Sequence, residues 1–573
     1  MPIHNAEIAE MFNRLADLLE IEDANPFRVR AYRNAARTLN GLPRSVVAML
    51  EEGEDLSRLP GIGKDLAHKI EVIVETGRLP ALSEIERHTP SGLVKLLSVP
   101  GLGPKRVRLL HETLGIEDVE ALASAARGGA LRRLAGFGPK TEQNILHALE
   151  TRGAEERRVK RIVAEATAED LADYLRGIEG VVRVEIAGSY RRRRETVGDI
   201  DILAACGPRS PIIQSFIDYE DVAEVLSRGR KRSTVILRNG LQVDLRVVPE
   251  ASYGAALYYF TGSKAHNIAV RTIGLKKGLK INEYGVFRGE RRVAGRTEEE
   301  VFAQVGIPFI EPELREGRGE IEAARQGRLP SLIELSDIRG DLHVHSKASD
   351  GRATIAEMAK AAHARGYQYL SINDHSKRVT IAHGLDARRL ARQLAEIDRL
   401  NEGMTGFLIL KSTEVDILED GTLDLPDDVL CRLDLTVCAV HSKFGLSRDR
   451  QTERIIRAMD NPCFDILGHP TGRLINERAG YEIDMERLLL AARERGCYLE
   501  VNAQPDRLDL TDLHCKMAKD VGVKVAISTD AHSVTDLDLM RFGLDQARRG
   551  WLEADDVLNT RRWPALKRLL RSR

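Results

Sequence analysis

Gly188-Ser-Tyr-Arg-Arg-Arg-Arg-Glu-Thr-Val-Gly-Asp-Ile-Asp-Ile-Leu203 is the stretch on which the interpretation of the chain depends. It places a Gly-Ser turn about ten residues before an Asp-x-Asp on an apolar strand. Because side chains two residues apart in a strand share a face, Asp199 and Asp201 can hold a metal ion jointly. A phosphate-binding turn and a metal-binding pair within one short segment predict nucleotide chemistry.

A third carboxylate is predicted on a neighbouring strand. Asn239-Gly240 is a strong signal for a hairpin turn between two apolar strands, and Asp244 lies on the second of them. Three carboxylates can bridge two magnesium ions about 4 Å apart, one beside a 3'-hydroxyl and the other beside a triphosphate. We therefore predict Asp199, Asp201 and Asp244 as catalytic metal ligands.

The residues upstream of the Asp pair complete the predicted phosphate site. Gly188 and Ser189 would meet the terminal phosphates through backbone N–H and hydroxyl groups, and Arg192 would add positive charge. The other arginines of the run 191–194 are interpreted as an ordinary solvated basic loop.

The composition is that of a modular globular protein. Its 573 residues suit about three to five domains. The chain is 43% hydrophobic and 30% charged with a net charge of −1, so contact with DNA must come from local basic patches. No apolar run approaches the ~20 residues that span a bilayer, and the N-terminus lacks a secretion signal, so we expect a cytoplasmic protein.

Six cysteines are scattered along the chain without a Cys-x-x-Cys pair. They are Cys206, Cys431, Cys438, Cys463, Cys497 and Cys515. Since several lie in apolar runs, we expect buried thiols rather than disulfides or cysteine-zinc sites.

Residues 1–155 are predicted to be helical, and a short pattern recurs within them. The copies are Leu59-Pro-Gly-Ile-Gly-Lys64, Val99-Pro-Gly-Leu-Gly-Pro-Lys105 and Leu134-Ala-Gly-Phe-Gly-Pro-Lys140. Two glycines around one apolar residue let the backbone bring N–H groups to a phosphate while the apolar residue fills the core. The repeats resemble helix-hairpin-helix DNA-binding motifs, with predicted DNA contacts at Gly61, Gly63, Gly101, Gly103, Gly136 and Gly138.

The middle of the chain resembles the palm and thumb of a family X DNA polymerase, the group that includes polymerase beta. Besides the Asp triad, the resemblance rests on Tyr258-Tyr-Phe-Thr-Gly-Ser-Lys-Ala-His-Asn267 and Ile281-Asn-Glu-Tyr284. Lys264 departs from the family, because polymerase beta carries an acidic residue near the incoming base, so nucleotide affinity is expected to differ. The resemblance implies nucleotide-site roles for Gly198, for Tyr259 and Phe260 at the sugar, for Gly262 at a turn, and for Asn267 and Arg271 at the minor groove.

Lys69 has two open interpretations. It lies six residues after Gly63 on the following helix, where it could form a Schiff base with a sugar-phosphate if its pKa were lowered. A lysine on a helix is more often solvated surface. The family resemblance places Lys69 on the lysine of the 5'-deoxyribose-phosphate lyase, although Asp65 replaces a nearby basic residue.

Beyond residue 335, seven apolar runs alternate with helical segments, and six of the runs end on a residue type that binds metals. Because the carboxyl ends of parallel barrel strands converge on one rim, these side chains should meet in space. Nine such ligands suit two or three zinc, manganese or iron ions and metal-assisted hydrolysis of a phosphodiester. The predicted ligands are His343, His345, Asp350, His375, Glu414, His441, His469, Asp530 and His532.

This C-terminal half closely resembles the polymerase and histidinol phosphatase (PHP) domain, a seven-stranded relative of the (β/α) barrel. Every ligand position of that family's pattern is filled, which implies an active hydrolase. The whole chain thus resembles the bacterial family X polymerase with a C-terminal PHP domain. The resemblance implies 3'-5' exonuclease activity, with apurinic-site endonuclease and 3'-phosphatase activities as further options.

We expect a multidomain fold with an all-α helix-hairpin-helix region, an α+β nucleotidyltransferase palm and thumb, and an α/β PHP (β/α)7 barrel. The predicted boundaries are 1–78 and 79–155 for two helical parts, 156–252 for the palm, 253–315 for the thumb, 316–336 for a charged connector and 337–573 for the barrel.

The predicted function is gap filling in DNA base excision repair, with Mg²⁺ or Mn²⁺ at the palm and 3'-end trimming at the C-terminal metal site. The predicted partners are gapped or nicked double-stranded DNA and deoxynucleoside triphosphates. We expect a monomeric, nucleoid-associated protein that makes no membrane contact. Two alternatives stay open: a small-molecule phosphomonoesterase at the C-terminal site, and a DNA-end binding scaffold with weak polymerase activity.

Overall fold

The computed structural model describes residues 5–42, 44–87, 92–97, 99, 102–150 and 158–570. The chain divides into two compact units, Met1–Arg157 and Arg158–Arg573. This division falls close to the change of pattern expected after residue 155. Gly101, one of the predicted DNA contacts, lies outside the described residues.

The first unit is helical, and its described residues contain no strand, as expected from the sequence. Its apolar residues form two cores. The first core ends at Ile85, and the second contains Ile21 together with residues from Leu93 onward. The segment 79–85 therefore packs with the first core rather than with the second. The helices are α1 (Asn5–Ile21), α2 (Pro26–Gly41), α3 (Val46–Glu51), α4 (Lys64–Thr76), α5 (Pro80–Ile85), α6 (Gly92–Leu96), α7 (Pro104–Leu114), α8 (Val119–Arg127) and α9 (Pro139–Glu150).

The second unit opens with a five-stranded mixed sheet. Its strands are β2 (Val181–Ile186), β4 (Asp199–Cys206), β5 (Val222–Arg228), β6 (Arg232–Leu237) and β7 (Gln242–Val248), in the order β2-β4-β7-β6-β5. Strands β4 and β7 run parallel, whereas the other neighbours are antiparallel. Helices α10 (Arg161–Arg176), α11 (Gly188–Arg191) and α12 (Ile212–Ile217) accompany the sheet.

Helix α10 is preceded directly by a short strand. Residues 159 and 160 form strand β1 (Val159–Lys160), which pairs with β3 (Thr196–Val197). The partner strand lies far along the chain, so the local helical pattern gave no sign of this pairing.

The next segment combines helices with a small antiparallel sheet. Its helices are α13 (Tyr253–Thr261), α14 (Lys264–Lys276), α15 (Glu298–Val305) and α16 (Glu320–Arg325), and its strands are β8 (Lys280–Asn282), β9 (Gly285–Arg288) and β10 (Arg291–Ala294). Tyr258 and Phe302 meet edge to face in its core, with ring centroids 5.6 Å apart.

The segment 316–336, expected to be a charged connector, is about half exposed but is anchored by a few buried side chains. The Glu320 carboxylate is fully buried and lies 2.8 Å from Nδ1 of His266. Ile333 is also fully buried, in the core of the C-terminal strands. This segment joins its two neighbours through buried contacts, which explains why they form one compact unit.

The C-terminal part alternates parallel strands with helices. The strands form one sheet of three and one sheet of five. A bridge between Val344 and Ala531 joins the first strand to the residues after the last one, and a bridge between His375, which follows the second strand, and Glu414 of the fourth joins the two sheets on their other side, so that together they close. The strands are β11 (Gly340–Val344), β12 (Tyr369–Ile372), β13 (Leu408–Lys411), β14 (Glu414–Asp416), β15 (Val437–Ala439), β16 (Ile466–Leu467), β17 (Tyr498–Asn502) and β18 (Val525–Ser528). The helices are α17 (Ile355–Ala364), α18 (Ala387–Glu402), α19 (Asp427–Leu430), α20 (Arg448–Met459), α21 (Met485–Arg495), α22 (Asp512–Val521), α23 (Met540–Arg549) and α24 (Trp563–Lys567).

The third of the seven predicted apolar runs, residues 407–414, is divided in the structure between β13 and the start of β14. All strand neighbours in this part are parallel, so the ends of the strands point to one rim. Among the described residues, no helix is long and apolar enough to cross a membrane.

Candidate functional site

Strands β4 and β7 bring the predicted carboxylate triad together. Their parallel register sets Asp201 directly beside Asp244, and Asp199 lies two residues before Asp201 on the same face. Burial, together with the charges of Asp199 and Asp244, raises the pKa of Asp201 to about 7. Part of this rise comes from repulsion between the three carboxylates, which a bound cation would relieve. The triad therefore fits a divalent metal.

Gly188 touches the triad directly. Its φ is +61°, and a Cβ built on it would lie 2.5 Å from Oδ2 of Asp201. The N–H of Ala187 donates to the Asp201 carbonyl at 2.7 Å, which fixes the turn against β4. Only glycine combines this backbone conformation with so close an approach. The predicted phosphate turn and the predicted metal ligand are thus neighbours, with Ser189 next in α11.

Asp244 is held by side chains that the sequence analysis did not identify. Its Oδ1 accepts hydrogen bonds from Thr234 Oγ1 at 2.6 Å and from Arg232 Nη2 at 2.9 Å. Its Oδ2 accepts a hydrogen bond from Gln242 Nε2 at 3.0 Å. Burial alone would raise the pKa of Asp244, but these hydrogen bonds outweigh burial and lower it. Asp244 is therefore an ionised carboxylate whose neighbours on β6 and β7 orient it.

The run 191–194 is not a solvated loop, so that expectation is wrong. Arg191 Nη2 lies 2.6 Å from Oε2 of Glu298, and Arg192 Nε lies 3.1 Å from Oε1 of Glu316. Arg193 pairs with Asp545 and with Glu313, and Arg194 Nη1 lies 3.8 Å from Glu316 Oε2. Each partner is more than a hundred residues away in sequence, which is why the local pattern resembled a solvated loop.

Arg192 has a further contact that bears on its predicted role. Its Nη1 donates to the carbonyl of Thr261 at 2.5 Å, at the end of α13. The backbone of Gly262 follows at once with φ +71°, and a Cβ there would lie 3.2 Å from Arg192 Nη1. Arg192 thus links the phosphate turn to the turn at Gly262, two predicted parts of one nucleotide site.

The aromatic pair Tyr259 and Phe260, near the end of α13, also lies close to the strands that carry the triad. The guanidinium of Arg246, two residues after Asp244 on β7, stacks 4.3 Å from the ring centroid of Phe260. Asn267 is buried and its Nδ2 donates to the carbonyl of Tyr259 at 2.7 Å. Arg246 is a second charged residue of this region that the sequence analysis missed.

The two remaining predicted nucleotide contacts lie at the surface. Arg271 is exposed on α14. Gly198 is exposed immediately before Asp199, and a Cβ on it would lie 3.4 Å from Arg158 Nη1. The roles of both residues in a nucleotide site therefore stay predictions.

The described glycines of the hairpin repeats adopt the predicted turns. Gly61 and Gly136 have φ values of +78° and +84°. Gly63 and Gly103 are the N-caps of α4 and α7, and Gly138 immediately precedes α9. The apolar residues between the glycines, Ile62, Leu102 and Phe137, are buried. No described atom lies within 4 Å of a Cβ built at Gly63, Gly103, Gly136 or Gly138, so the backbone there is open to a ligand.

Lys69 lies on α4 as predicted, with its side chain mostly covered. Its Nζ is 2.5 Å from Oδ2 of Asp65, one turn earlier, and 6.0 Å from the ring centroid of the buried Tyr32. The amine is thus paired with a carboxylate of its own helix, and the lyase role of Lys69 stays a prediction.

The nine predicted ligands of the C-terminal part converge on one rim. Glu414 lies at the centre: its Oε1 is 2.8 Å from Nε2 of His469 and 3.2 Å from Nε2 of His441. Its Oε2 is 2.7 Å from Nδ1 of His375 and 3.6 Å from Nε2 of His343. The strand ends thus meet as expected for a closed parallel sheet.

Three overlapping groups on this rim bring their donor atoms within 4.8 Å of one another. They are His345, Asp350, His375 and His532; His343, His345 and Asp530; and His375, Glu414 and His441. Three groups that share members are the arrangement expected for neighbouring ions bridged by common ligands. His469 joins them through its contact with Glu414.

Outer carboxylates orient the histidines. Glu500 Oε1 lies 2.7 Å from Nδ1 of His343, and Asp416 Oδ1 lies 3.2 Å from Nδ1 of His441. Such contacts turn the other ring nitrogen inward and strengthen it as a ligand. The sequence analysis missed both carboxylates. Glu500 lies two residues before Asn502, and Asp416 lies two residues after Glu414. Because side chains two residues apart share a face of a strand, this spacing is the signal that could have identified both carboxylates.

The electrostatics of the rim favour a cation. Burial alone would lower the pKa of His375, but the Glu414 and Asp350 carboxylates raise it to about 10. Burial would raise the pKa of Glu414, yet His375, His441 and His343 hold it well below its usual range. Nδ1 of His345 and Nδ1 of His469 are buried without a hydrogen-bond partner among the described residues. These donors fit a metal cluster.

Backbone strain occurs at two of the ligands. His469 has φ +27° and Asp530 has φ +50°, values that non-glycine residues rarely adopt. Strain of this kind persists at functional sites where surrounding contacts hold it. Here the Glu500 Oε2 atom accepts the His469 N–H at 2.7 Å.

The class of protein that the fold and its sites define is a DNA-processing nucleotidyltransferase joined to a metal-dependent phosphoesterase fold. The features that indicate this class are the helical hairpins, the carboxylate triad beside the predicted phosphate turn, and the rim of predicted metal ligands. Family models agree: a helix-hairpin-helix domain matches residues 3–79, a SAM-like helix-hairpin-helix tandem matches 93–151, and a DNA polymerase beta thumb matches 256–316.

A curated relative matches almost the entire chain. The DNA polymerase/3'-5' exonuclease PolX of Bacillus subtilis is 40% identical over 564 residues, which is 98% of this chain and 98% of the relative. The chain therefore belongs to the family of that bacterial PolX. A probable phosphatase of Thermoanaerobacter is 34% identical over 232 residues, 38% of this chain and 89% of the relative. A probable phosphatase of Caldanaerobacter subterraneus is 33% identical over 209 residues, 34% of this chain and 77% of the relative.

Proposed function

We propose that this chain extends DNA 3' ends from deoxynucleoside triphosphates at the β4–β7 triad and removes nucleotides from 3' ends at the C-terminal rim. The observation that carries the first activity is the register of Asp201 beside Asp244 with Gly188 against Asp201. The family relationship to a DNA polymerase/3'-5' exonuclease supports both activities.

At the triad, Asp199, Asp201 and Asp244 would hold magnesium or manganese ions. Bound there, the ions would supply positive charge to the triphosphate and lower the cost of bringing it to a 3'-hydroxyl. The chain itself contributes position. Thr234 and Arg232 keep Asp244 ionised, and the α11 turn presents backbone N–H groups beside the carboxylates.

At the C-terminal rim, the nine ligands would hold two or three manganese, zinc or iron ions. Bound there, the ions would supply Lewis acidity toward a phosphodiester. The chain's own part is to fix the ligands: Glu500 and Asp416 set the orientation of His343 and His441, and Glu414 faces five histidines across the rim.

The hairpins of the first unit would grip DNA phosphates and deliver a gapped or nicked duplex. Their open glycine turns at helix N-termini suit phosphate contact without base reading. The predicted division into palm, thumb and barrel, action as a monomer, a role in base excision repair and a lyase role for Lys69 belong to the same proposal. A cytoplasmic, nucleoid-associated location would follow from DNA as the substrate.

One gapped, 5'-labelled duplex tests both activities. The parent protein should extend the primer when triphosphates and magnesium are present and shorten it with manganese alone. Asp199→Asn should abolish extension and keep trimming, whereas Asp530→Asn should do the reverse. Loss of both activities in either variant, or extension by Asp199→Asn at the parent rate, would refute the two-site assignment.

The same assay distinguishes the alternatives. A small-molecule phosphomonoesterase would hydrolyse a free sugar phosphate faster than it trims a 3' DNA end. A DNA-end binding scaffold would retain the duplex in a mobility-shift assay while extending it only weakly. A 3'-phosphorylated primer and a primer opposite an abasic site would show whether 3'-phosphatase or apurinic-site cleavage accompanies trimming.

A further inference from the structure

Two cysteine side chains meet at the edge of the closed sheet opposite the metal rim. The Sγ atoms of Cys431 and Cys463 are 2.7 Å apart, although 32 residues separate them in sequence. Cys431 follows α19 and precedes β15, and Cys463 precedes β16. We propose that this pair is a reversible oxidation site, at which a hydroperoxide such as hydrogen peroxide converts the two thiols to a disulfide.

The approach of the sulfurs does not depend on the thiols alone. Asn461 Nδ2 donates to Asp427 Oδ1 at 2.8 Å, and Asn461 Oδ1 accepts the N–H of Cys463 at 2.8 Å. Because Asp427 is the first residue of α19, this one asparagine ties the segment carrying Cys431 to the segment carrying Cys463. The two sulfurs are thus held side by side, and a shift of under about 1 Å would bring them to the ~2.05 Å of a disulfide bond.

The two thiols differ in exposure, which sets their order of reaction. Cys431 is exposed, whereas Cys463 is fully buried behind it. A dissolved peroxide therefore meets Cys431 first, and Cys463 can reach only the sulfur of its neighbour. An accessible cysteine beside a second thiol is the usual arrangement of a reversible thiol pair.

The reaction is balanced with one peroxide. The Cys431 thiolate attacks one peroxide oxygen, the O–O bond breaks, and protonation of the leaving oxygen gives water and a sulfenic acid on Cys431. The Cys463 sulfur then attacks the sulfenic sulfur, the S–O bond breaks, and the second water leaves with the Cys463 proton. Two thiols and one hydrogen peroxide yield one disulfide and two waters, so the sulfurs are oxidised and the peroxide oxygens are reduced.

The cross-link would join the starts of two neighbouring strands. Strand β15 leads to His441 and β16 leads to His469, but those ligands lie at the other edge of the sheet. The disulfide would restrict the unfolded chain between residues 431 and 463 without moving the rim. It should therefore raise the thermal stability of the oxidised protein and leave 3' trimming unchanged.

The test uses the full chain after brief treatment with hydrogen peroxide, followed by alkylation in denaturant and peptide mapping. Two of the six thiols should become unreactive, and the peptides containing Cys431 and Cys463 should appear linked, lighter by two hydrogens than the reduced pair. The melting temperature should rise by about 5 °C and return on reduction with dithiothreitol.

Matched variants complete the experiment. Cys431→Ser should abolish the link and the rise in melting temperature, and Cys206→Ser, at a half-buried thiol elsewhere, should change neither. Six reactive thiols after oxidation, a sulfinic acid on Cys431 without a link, or a link between two chains would each overturn the proposal. Mapping of the parent protein decides between these outcomes even if a variant folds poorly.

Discussion

Arg549 of helix α23 donates from Nη1 to the backbone carbonyl of Arg192 at 2.6 Å, and the same nitrogen lies 3.0 Å from Oε1 of Glu316. Glu316 is also the partner of the Arg192 side chain. A helix of the C-terminal part therefore holds both the backbone and the counter-ion of a predicted phosphate contact. The predicted phosphate turn therefore packs against helix α23.

Asp545, also on α23, is the residue whose loss should weaken this interface most. It is buried and pairs with both Arg161 and Arg193. Asp545→Ala would remove the carboxylate that pairs with the buried Arg161 and would leave Arg193 with Glu313 alone, so we expect the free energy of unfolding to fall by about 3 kcal/mol. Chemical unfolding of the full chain measures this. Asp520→Ala, which removes a partner of Lys516 within one exposed helix turn, is the control and should cost less than about 1 kcal/mol. Equal losses would contradict the prediction.

Gly188→Ala should disable extension specifically. The new Cβ would need the left-handed backbone and would lie 2.5 Å from Oδ2 of Asp201, so the carboxylate must move. We expect primer extension to fall about 100-fold, as for other misplaced catalytic groups, while 3' trimming is retained. Gly240→Ala is a matched control, because Gly240 has φ +84° and no described atom within 4 Å of its built Cβ. If both variants lost extension equally, strain rather than displacement of Asp201 would be the cause.

The predicted side chains that the structure brings together are those whose positions a local pattern and a simple topology determine jointly. The Asn239-Gly240 turn fixes how β6 returns to β7, and β7 then lies beside β4 with Asp244 next to Asp201. The rim ligands follow from strand ends in a parallel sheet. These inferences need no knowledge of which distant residues are in contact.

The features that the sequence does not reveal depend on contacts between distant segments. Arg193 and Asp545 are 352 residues apart, and an arginine-rich run has the same composition whether water or a buried aspartate surrounds it. Glu500 lies in an apolar strand, and from the sequence alone its carboxylate could face solvent or orient His343; the structure shows the second. The charged segment 316–336 likewise has the composition of a linker, and the contacts of its carboxylates with Arg192 and His266 are seen only in the structure.

Glu500→Gln should reduce 3' trimming while extension persists. The substitution keeps the size of the side chain but removes the charge that lies 2.7 Å from His343 Nδ1. Loss of an outer partner of a metal-ligating histidine typically costs 10- to 100-fold in affinity or activity, so we expect a loss of about that size. Trimming rates and metal content by elemental analysis measure it. Glu494→Gln, on the exposed end of α21, is the control, and an unchanged metal content in Glu500→Gln would contradict the role assigned to Glu500.

Acid should loosen the contact that Arg549 makes with Glu316 and Asp512. Burial alone would raise the pKa of both carboxyls, but Arg549, with Arg192 beside Glu316 and Arg318 beside Asp512, lowers both. A carboxyl with a lowered folded pKa stabilises the protein above its unfolded pKa of about 4 and loses that contribution as pH falls toward the folded value. The free energy of unfolding should therefore fall as the pH drops below about 5, and Asp512→Asn, less stable at neutral pH, should show a shallower fall. Chemical unfolding at each pH measures both stability curves. Parallel curves for the parent and the variant would mean that Asp512 is not one of the titrating groups.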